Sequence, residues 1–141
     1  MKATELMIGD WLNVSKLNKP VRVGAVYRTM IVPNPDDDDV HASIGDEYLE
    51  PIKLTPEILE KNGWKHEFDK TDYMVKYDLG KEGKNCWMMW AIKEHNLDIQ
   101  RQDENLDMYN LKVSRVVIPC DYVHELQHAL KLCEIKKEIE L

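Results

Sequence analysis

Long apolar stretches are absent from this chain. The longest unbroken run, Cys86-Trp87-Met88-Met89-Trp90-Ala91-Ile92, has seven residues, against the roughly 20 that a transmembrane helix needs. No bilayer-spanning segment is expected, and Glu5 interrupts the stretch where a signal peptide requires continuous apolar residues. The reading is therefore an intracellular, cytoplasmic protein. Cysteine is also scarce: Cys86, Cys120 and Cys133 are three in number and show no C-x-x-C spacing. That excludes a disulfide framework and a zinc ribbon, and it suits reduced, buried thiols. A basic face is missing too. Nineteen Lys and Arg stand against 26 Asp and Glu, and nucleic-acid affinity comes largely from clustered cations, so direct DNA or RNA binding is not expected.

The net charge of −7 is local. Residues 36–50 hold Asp36, Asp37, Asp38, Asp39, Asp46, Glu47 and Glu50 with no Lys or Arg, and outside that window acids and bases balance at nineteen each. The run Asp36, Asp37, Asp38, Asp39 follows Pro33-Asn34-Pro35 and reads as a solvated loop tip. Its functional reading is a docking surface for a basic partner, or an imitation of phosphate spacing. It lacks the alternating oxygen ligands, mid-loop Gly and terminal Glu of an EF-hand.

With 43% hydrophobic residues in 141, the chain is long enough to fold without a disulfide or a structural metal. The first third reads as short strands. Trp11-Leu12-Asn13-Val14 is followed by a turn at Leu17-Asn18-Lys19-Pro20, and Val21, Val23, Ala25 and Tyr27 then alternate with Arg22, Gly24, Val26 and Arg28, the two-residue period of a half-buried strand. Weaker strand candidates cover residues 40–44 and 48–52. The expected module is residues 1–52, a curled sheet or SH3-like small barrel.

Residues 53–141 read as an α+β module. Thr55-Pro56-Glu57 supplies a hydroxyl N-cap, a proline at the first helical position and an acid in the first turn, and Gly63 stops that helix, near residues 56–62. Trp64, His66 and Phe68 alternate with Lys65 and Glu67, and Tyr73, Val75, Tyr77 and Leu79 with Lys76 and Asp78. The run Cys86 to Ile92 is apolar at every position, as a central strand covered on both faces would be. Residues 98–100 and 111–117 are further strand candidates. Pro119 breaks the chain, and Asp121 is expected to cap a helix near residues 121–133. The fold class is α+β: a strand-rich first part, then an antiparallel sheet packed by that last helix.

One motif resembles chemistry. His124-Glu125-Leu126-Gln127-His128 matches H-E-x-x-H, in which two histidines one helical turn apart bind zinc while the glutamate activates a water. Only three positions are fixed, and the helical wheel places Leu126, Ala129, Leu130 and Cys133 on one stripe. His124 and His128 fall on the opposite face with Gln127 and Lys131, which points them to solvent. A third ligand is not evident and the extended metzincin form is absent. His124 and His128 remain candidate metal ligands, with Glu125 as base, for an alternative reading as a minimal zinc hydrolase. Trp11, Trp64, Trp87 and Trp90 are expected in the core. His41, His66 and His95 share no spacing, and no phosphate loop, nucleophile elbow or other catalytic set is found. No cofactor is implied.

Four segments carry a resemblance: Glu5-Leu6-Met7-Ile8-Gly9-Asp10-Trp11-Leu12, residues 50–64 around Pro51-Ile52-Lys53-Leu54-Thr55-Pro56-Glu57-Ile58-Leu59, Tyr122-Val123-His124-Glu125-Leu126-Gln127, and Glu138-Ile139-Glu140-Leu141. Together they resemble a family of short uncharacterised proteins common in gut Bacteroidetes chromosomes, prophages and phages. The resemblance implies a phage or mobile-element origin and an intracellular location, and it brings no activity with it. In that family the helix motif is also spelled His-Gln-Leu-Gln-Asn, without the general base and one ligand, which counts against zinc proteolysis here. The expected function is non-enzymatic: binding of a host or phage protein through strand edges or the acidic loop, with an acidic counter-defence inhibitor as a further alternative.

Overall fold

A computed structural model describes residues 1–36, 42–68, 74–78, 86–92, 107–113 and 116–141. Among these residues the structure is α+β, with two five-stranded antiparallel sheets. Contacts divide the chain into one unit of Met1–Lys53 with Tyr122–His124 and another of Leu54–Asp121 with Glu125–Leu141. Among the described residues no helix is long and apolar enough to cross a membrane.

The first unit contains β1 (Trp11–Val14), β2 (Lys19–Val26), β3 (Met30–Pro33), β4 (Ile44–Gly45) and β5 (Leu49–Glu50), in the order β4-β3-β2-β1-β5. Alternation builds β1: Leu12 and Val14 are buried, Trp11 and Asn13 half-buried, as a two-residue period requires. Asn18 turns the chain into β2 at φ 51°, a left-handed conformation that asparagine tolerates well. In β2 the register shifts between Val23, opposite Pro33, and Ala25, opposite Val32. Gly24 is the extra residue of that bulge, and a Cβ there would lie 2.9 Å from both Asn34 Cα and the Pro33 carbonyl oxygen. Leu12, Val14, Val21, Val23, Ile31, Ile44 and Leu49 close the core with Ala3 and Leu6.

The bulge corrects one expectation. An extra residue inverts the in-and-out phase of everything after it, so Tyr27, assigned to the buried alternation, is exposed. The weak candidates at 40–44 and 48–52 shrink to the two-residue strands β4 and β5, separated by a 3-10 turn at Asp46–Tyr48. Residues 40 and 41 lie outside the described residues. The strand β3 carries no clear sequence signal, because Pro33 closes it and no alternation leads into it.

In the second unit α1 (Pro56–Lys61) starts as its cap dictates, with the Ile58 N–H donating to Thr55 Oγ1 at 3.3 Å. Its end is a Schellman turn: Trp64 N–H donates to Leu59 O and Gly63 N–H to Glu60 O, both at 3.1 Å, with Gly63 at φ 90°. Leu59 and Trp64, the two residues such a turn brings together, are both buried. The sheet that follows is a meander of β6 (Lys65–Phe68), β7 (Met74–Asp78), β8 (Cys86–Ile92), β9 (Asp107–Val113) and β10 (Val116–Pro119). The apolar run forms β8, the middle strand, paired over its whole length with β9. Residues 111–117, read as one strand, are the end of β9 and the start of β10, with Val116 opposite Val113. The candidate at 98–100 lies outside the described residues.

The last helix, α2 (Val123–Leu132), ends in a second Schellman turn. Ile135 N–H donates to Leu130 O at 2.9 Å and Glu134 N–H to Lys131 O at 3.0 Å. Here Glu134, at φ 57°, occupies the left-handed position that glycine usually fills. A side chain in that conformation costs about 1 kcal/mol, and burial of Leu130 against Ile135 offsets it.

Candidate functional site

The helix α2 carries the one motif with catalytic spelling, and its histidines are not where the helical wheel puts them. His124 is 6% exposed and Gln127 9%, while His128 is half-buried and Lys131 exposed. Hydropathy counts imidazole as polar, but a ring stacked on another ring buries readily. His124 lies flat against Tyr122, with ring centroids 5.9 Å apart and planes 15° from parallel. Tyr122 is in turn bridged to Lys53, and the Val123 N–H donates to the Ile52 carbonyl at 2.8 Å. The solvated-face reading of His124 and Gln127 is therefore corrected. Leu126, Ala129 and Leu130 are buried as the stripe requires, and Cys133 is half-buried.

The Glu125 carboxylate accepts the Asp121 backbone N–H at 2.7 Å. The helix begins two residues after Asp121, at Val123, and the Asp121 N–H is satisfied by the glutamate in the first turn. Among the described residues no three His, Cys, Asp or Glu side chains cluster closely enough to hold a metal ion. A structural role for Glu125 is separable from a base. Glu125→Gln retains an acceptor for Asp121 and is expected to cost under about 0.5 kcal/mol, while Glu125→Ala costs about 1–2 kcal/mol. Urea denaturation of both variants checks this, and equal losses would exclude the hydrogen bond as the cause.

Beside the helix, Cys120 is fully buried and donates its thiol proton toward the Ile118 carbonyl at 3.4 Å. Burial, reinforced by the negative charge of Glu125 and Asp121, pushes this thiol up to about 12, against a partly offsetting hydrogen bond from the Leu111 backbone. A thiol so placed stays protonated and unreactive. With the folded value above the unfolded one, its contribution to stability is complete below the ordinary thiol range and is lost as pH rises toward about 12. At pH 8 the native protein is expected to alkylate at Cys133 before Cys120, with Cys120 slower by at least about a hundredfold until the chain unfolds. Peptide-resolved mass spectrometry after timed iodoacetamide treatment reads both sites.

Of the acidic run, Asp36 is exposed, and its N–H donates to the Asn34 side chain at 3.1 Å, an Asx turn. Asp37, Asp38 and Asp39 lie outside the described residues, as do His41 and His95; His66 stands opposite Tyr77 in the β6–β7 pairing. Leu17, Ile44 and Tyr48 line a cavity of about 200 Å³, with Lys16 over the Tyr48 ring at 4.8 Å.

Several large apolar side chains of the first unit are left exposed. Tyr27 follows β2, Met30 opens β3, and the Tyr27 N–H donates to the Met30 carbonyl at 2.8 Å. Met7 and Ile8 lie in the segment before β1, which is anchored to β2 by the Gly9 N–H on the Val23 carbonyl at 2.8 Å. Met7, Ile8, Tyr27 and Met30 are all among the exposed large apolar side chains, Ile8 at 66%. Sequence reading did not single them out, because an exposed apolar residue at a strand end looks like one more member of the core.

No family model matches this chain, and no curated protein or solved structure matches it either.

Proposed function

We propose that the chain is a non-enzymatic protein-binding accessory of phage or mobile-element origin, acting in the cytoplasm on a host or phage protein. Residues 1–52 serve as an SH3-like small barrel that carries the binding surface. The barrel reading is supported by the order β4-β3-β2-β1-β5, the bulge at Gly24 that bends β2, and the 3-10 turn directly before β5. The origin rests on the family resemblance alone.

The observation that carries the binding reading is that Met7, Ile8, Tyr27 and Met30 are left exposed; the reading takes them as the binding surface, since large apolar side chains in water are the groups a partner would cover. The acidic loop is the second candidate surface. Affinity capture from a Bacteroidetes lysate, treated with nuclease and read by mass spectrometry, tests it with three baits: the native chain, Met7→Ser/Ile8→Ser/Tyr27→Ser, and the quadruple Ser variant of Asp36, Asp37, Asp38 and Asp39. The native bait is expected to retain one nuclease-resistant partner that the apolar variant loses. Loss only with the Asp variant moves the surface to the loop, and heparin competition for the captured target then supports phosphate imitation. Absence of any specific partner rejects the reading.

A further inference from the structure

Residues 135–141 form neither helix nor strand, yet they are held like a ligand. Ile135 and Ile139 are buried, and between and beyond them Lys136, Glu138 and Glu140 are exposed. Asn62, itself only 4% exposed, reads the backbone: its Nδ2 donates to the Glu140 carbonyl at 2.6 Å, and its Oδ1 accepts the Glu140 N–H at 2.8 Å. The second Nδ2 proton goes to the Ile58 carbonyl at 2.8 Å, and the Lys61 ammonium donates to the Leu141 carbonyl. Asn62 thus gives residue 140 both bonds that a neighbouring strand would give, whatever side chain stands there. The flipped amide would set donor against donor and oxygen against oxygen, so one orientation is imposed. Backbone reading by Asn62 with two buried isoleucines is how a groove takes an extended peptide of the pattern Ile-x-x-x-Ile-acidic-apolar.

The peptide is tethered to its own groove through a strained residue. Glu134, at φ 57°, must stay left-handed for residues 135–141 to turn back, and release of the segment lets it return to an ordinary conformation. An identical segment from a second molecule makes the same contacts without that constraint, and short hinges under strain favour such exchange.

We propose that residues 135–141 exchange between two copies of this chain, each docking on the Asn62 groove of the other to form a reciprocal dimer. The inference is independent of the proposed partner-binding function. Two full-length variants test it by complementation: Asn62→Ala has a disabled groove and an intact segment, and Ile139→Ala the reverse. Native mass spectrometry of their mixture is expected to show a heterodimer at concentrations where each variant alone is monomeric. A mixture that stays monomeric, with both variants folded by circular dichroism, overturns the proposal. If either variant does not fold, the hinge decides. Glu134→Pro cannot adopt positive φ and is expected to raise the dimer association constant at least about tenfold over the native chain, while Glu134→Gly, free of strain, lowers it. Equal constants for the three chains overturn the proposal.

Discussion

Replacing Trp64 with alanine is expected to cost about 3–5 kcal/mol. Since a domain of ordinary stability unfolds at about 5–15 kcal/mol, the variant is left marginal. Trp64 is 2% exposed and is among the largest fully buried or nearly buried side chains of the second unit. Its position multiplies the effect: its backbone N–H closes the turn onto Leu59 at 3.1 Å, and its side chain is the apolar partner that such a turn requires. Loss of the ring therefore removes a core volume and loosens the exit from α1 toward β6. The indole Nε1 is buried without a hydrogen-bond partner, so the ring contributes by volume and not by its polar edge. Trp64→Phe removes that unsatisfied donor while keeping most of the ring, and is expected to cost far less, about 1–2 kcal/mol. Urea denaturation midpoints of the native chain and the two variants provide the comparison; similar losses for Phe and Ala would show that the indole edge matters after all.

The second large effect is expected at Gly24, where alanine should destabilise by about 2–3 kcal/mol. A methyl group there meets Asn34 Cα and the Pro33 carbonyl oxygen at 2.9 Å and the Asn34 nitrogen at 3.0 Å. All three are backbone atoms, so no side chain can swing aside to make room. The obstructing residue is also tied down, because the Asn34 N–H donates to the Arg22 carbonyl at 2.7 Å. Relief requires β3 to move away from β2, at the bulge that sets the register of both. Gly45 is the internal control: the atoms nearest its added Cβ all belong to the Glu47 side chain, with one carboxylate oxygen at 2.5 Å, and that exposed side chain can rotate into solvent. Thermal unfolding of Gly24→Ala and Gly45→Ala should separate by several degrees, about 3 °C per kcal/mol for a chain of this length. Coincident curves would mean that β2 and β3 are not held as closely as described.

Local chemistry was enough to find α1. A hydroxyl, a proline and an acid at Thr55, Pro56 and Glu57, with glycine at Gly63, satisfy the two ends of a helix within the helix itself. The exposed Glu57 carboxyl is held below the usual carboxylate range by its own backbone N–H and the Thr55 hydroxyl. The same was true of β8, since an unbroken apolar run of that length suits a strand flanked on both sides. The far end of α2 was harder to read. Its turn uses Glu134 where a local rule asks for glycine, and Asn62, 72 positions earlier, holds the segment beyond it.

The candidate site divides in the same way. The spacing of His124, Glu125 and His128 put a two-histidine motif on a helix, but the wheel could assign only a polar face and not its surroundings. His124 is buried with its ring stacked with Tyr122, and the Asp121 N–H engages Glu125. The exposed positions of Met7, Ile8, Tyr27 and Met30 were hidden for a related reason, since exposure belongs to the assembled sheet and not to the residue.

The sequence by itself determined the α+β class, the caps of α1, the apolar strand β8 and the confinement of negative charge to one stretch, because propensity, periodicity and charge act over a few neighbouring residues. Only the tertiary structure decided that Gly24 is a bulge against Asn34, that His124 is buried and that Asn62 grips the backbone of Glu140. Each of those depends on two segments distant in sequence arriving at van der Waals or hydrogen-bond distance, and that proximity is created by folding.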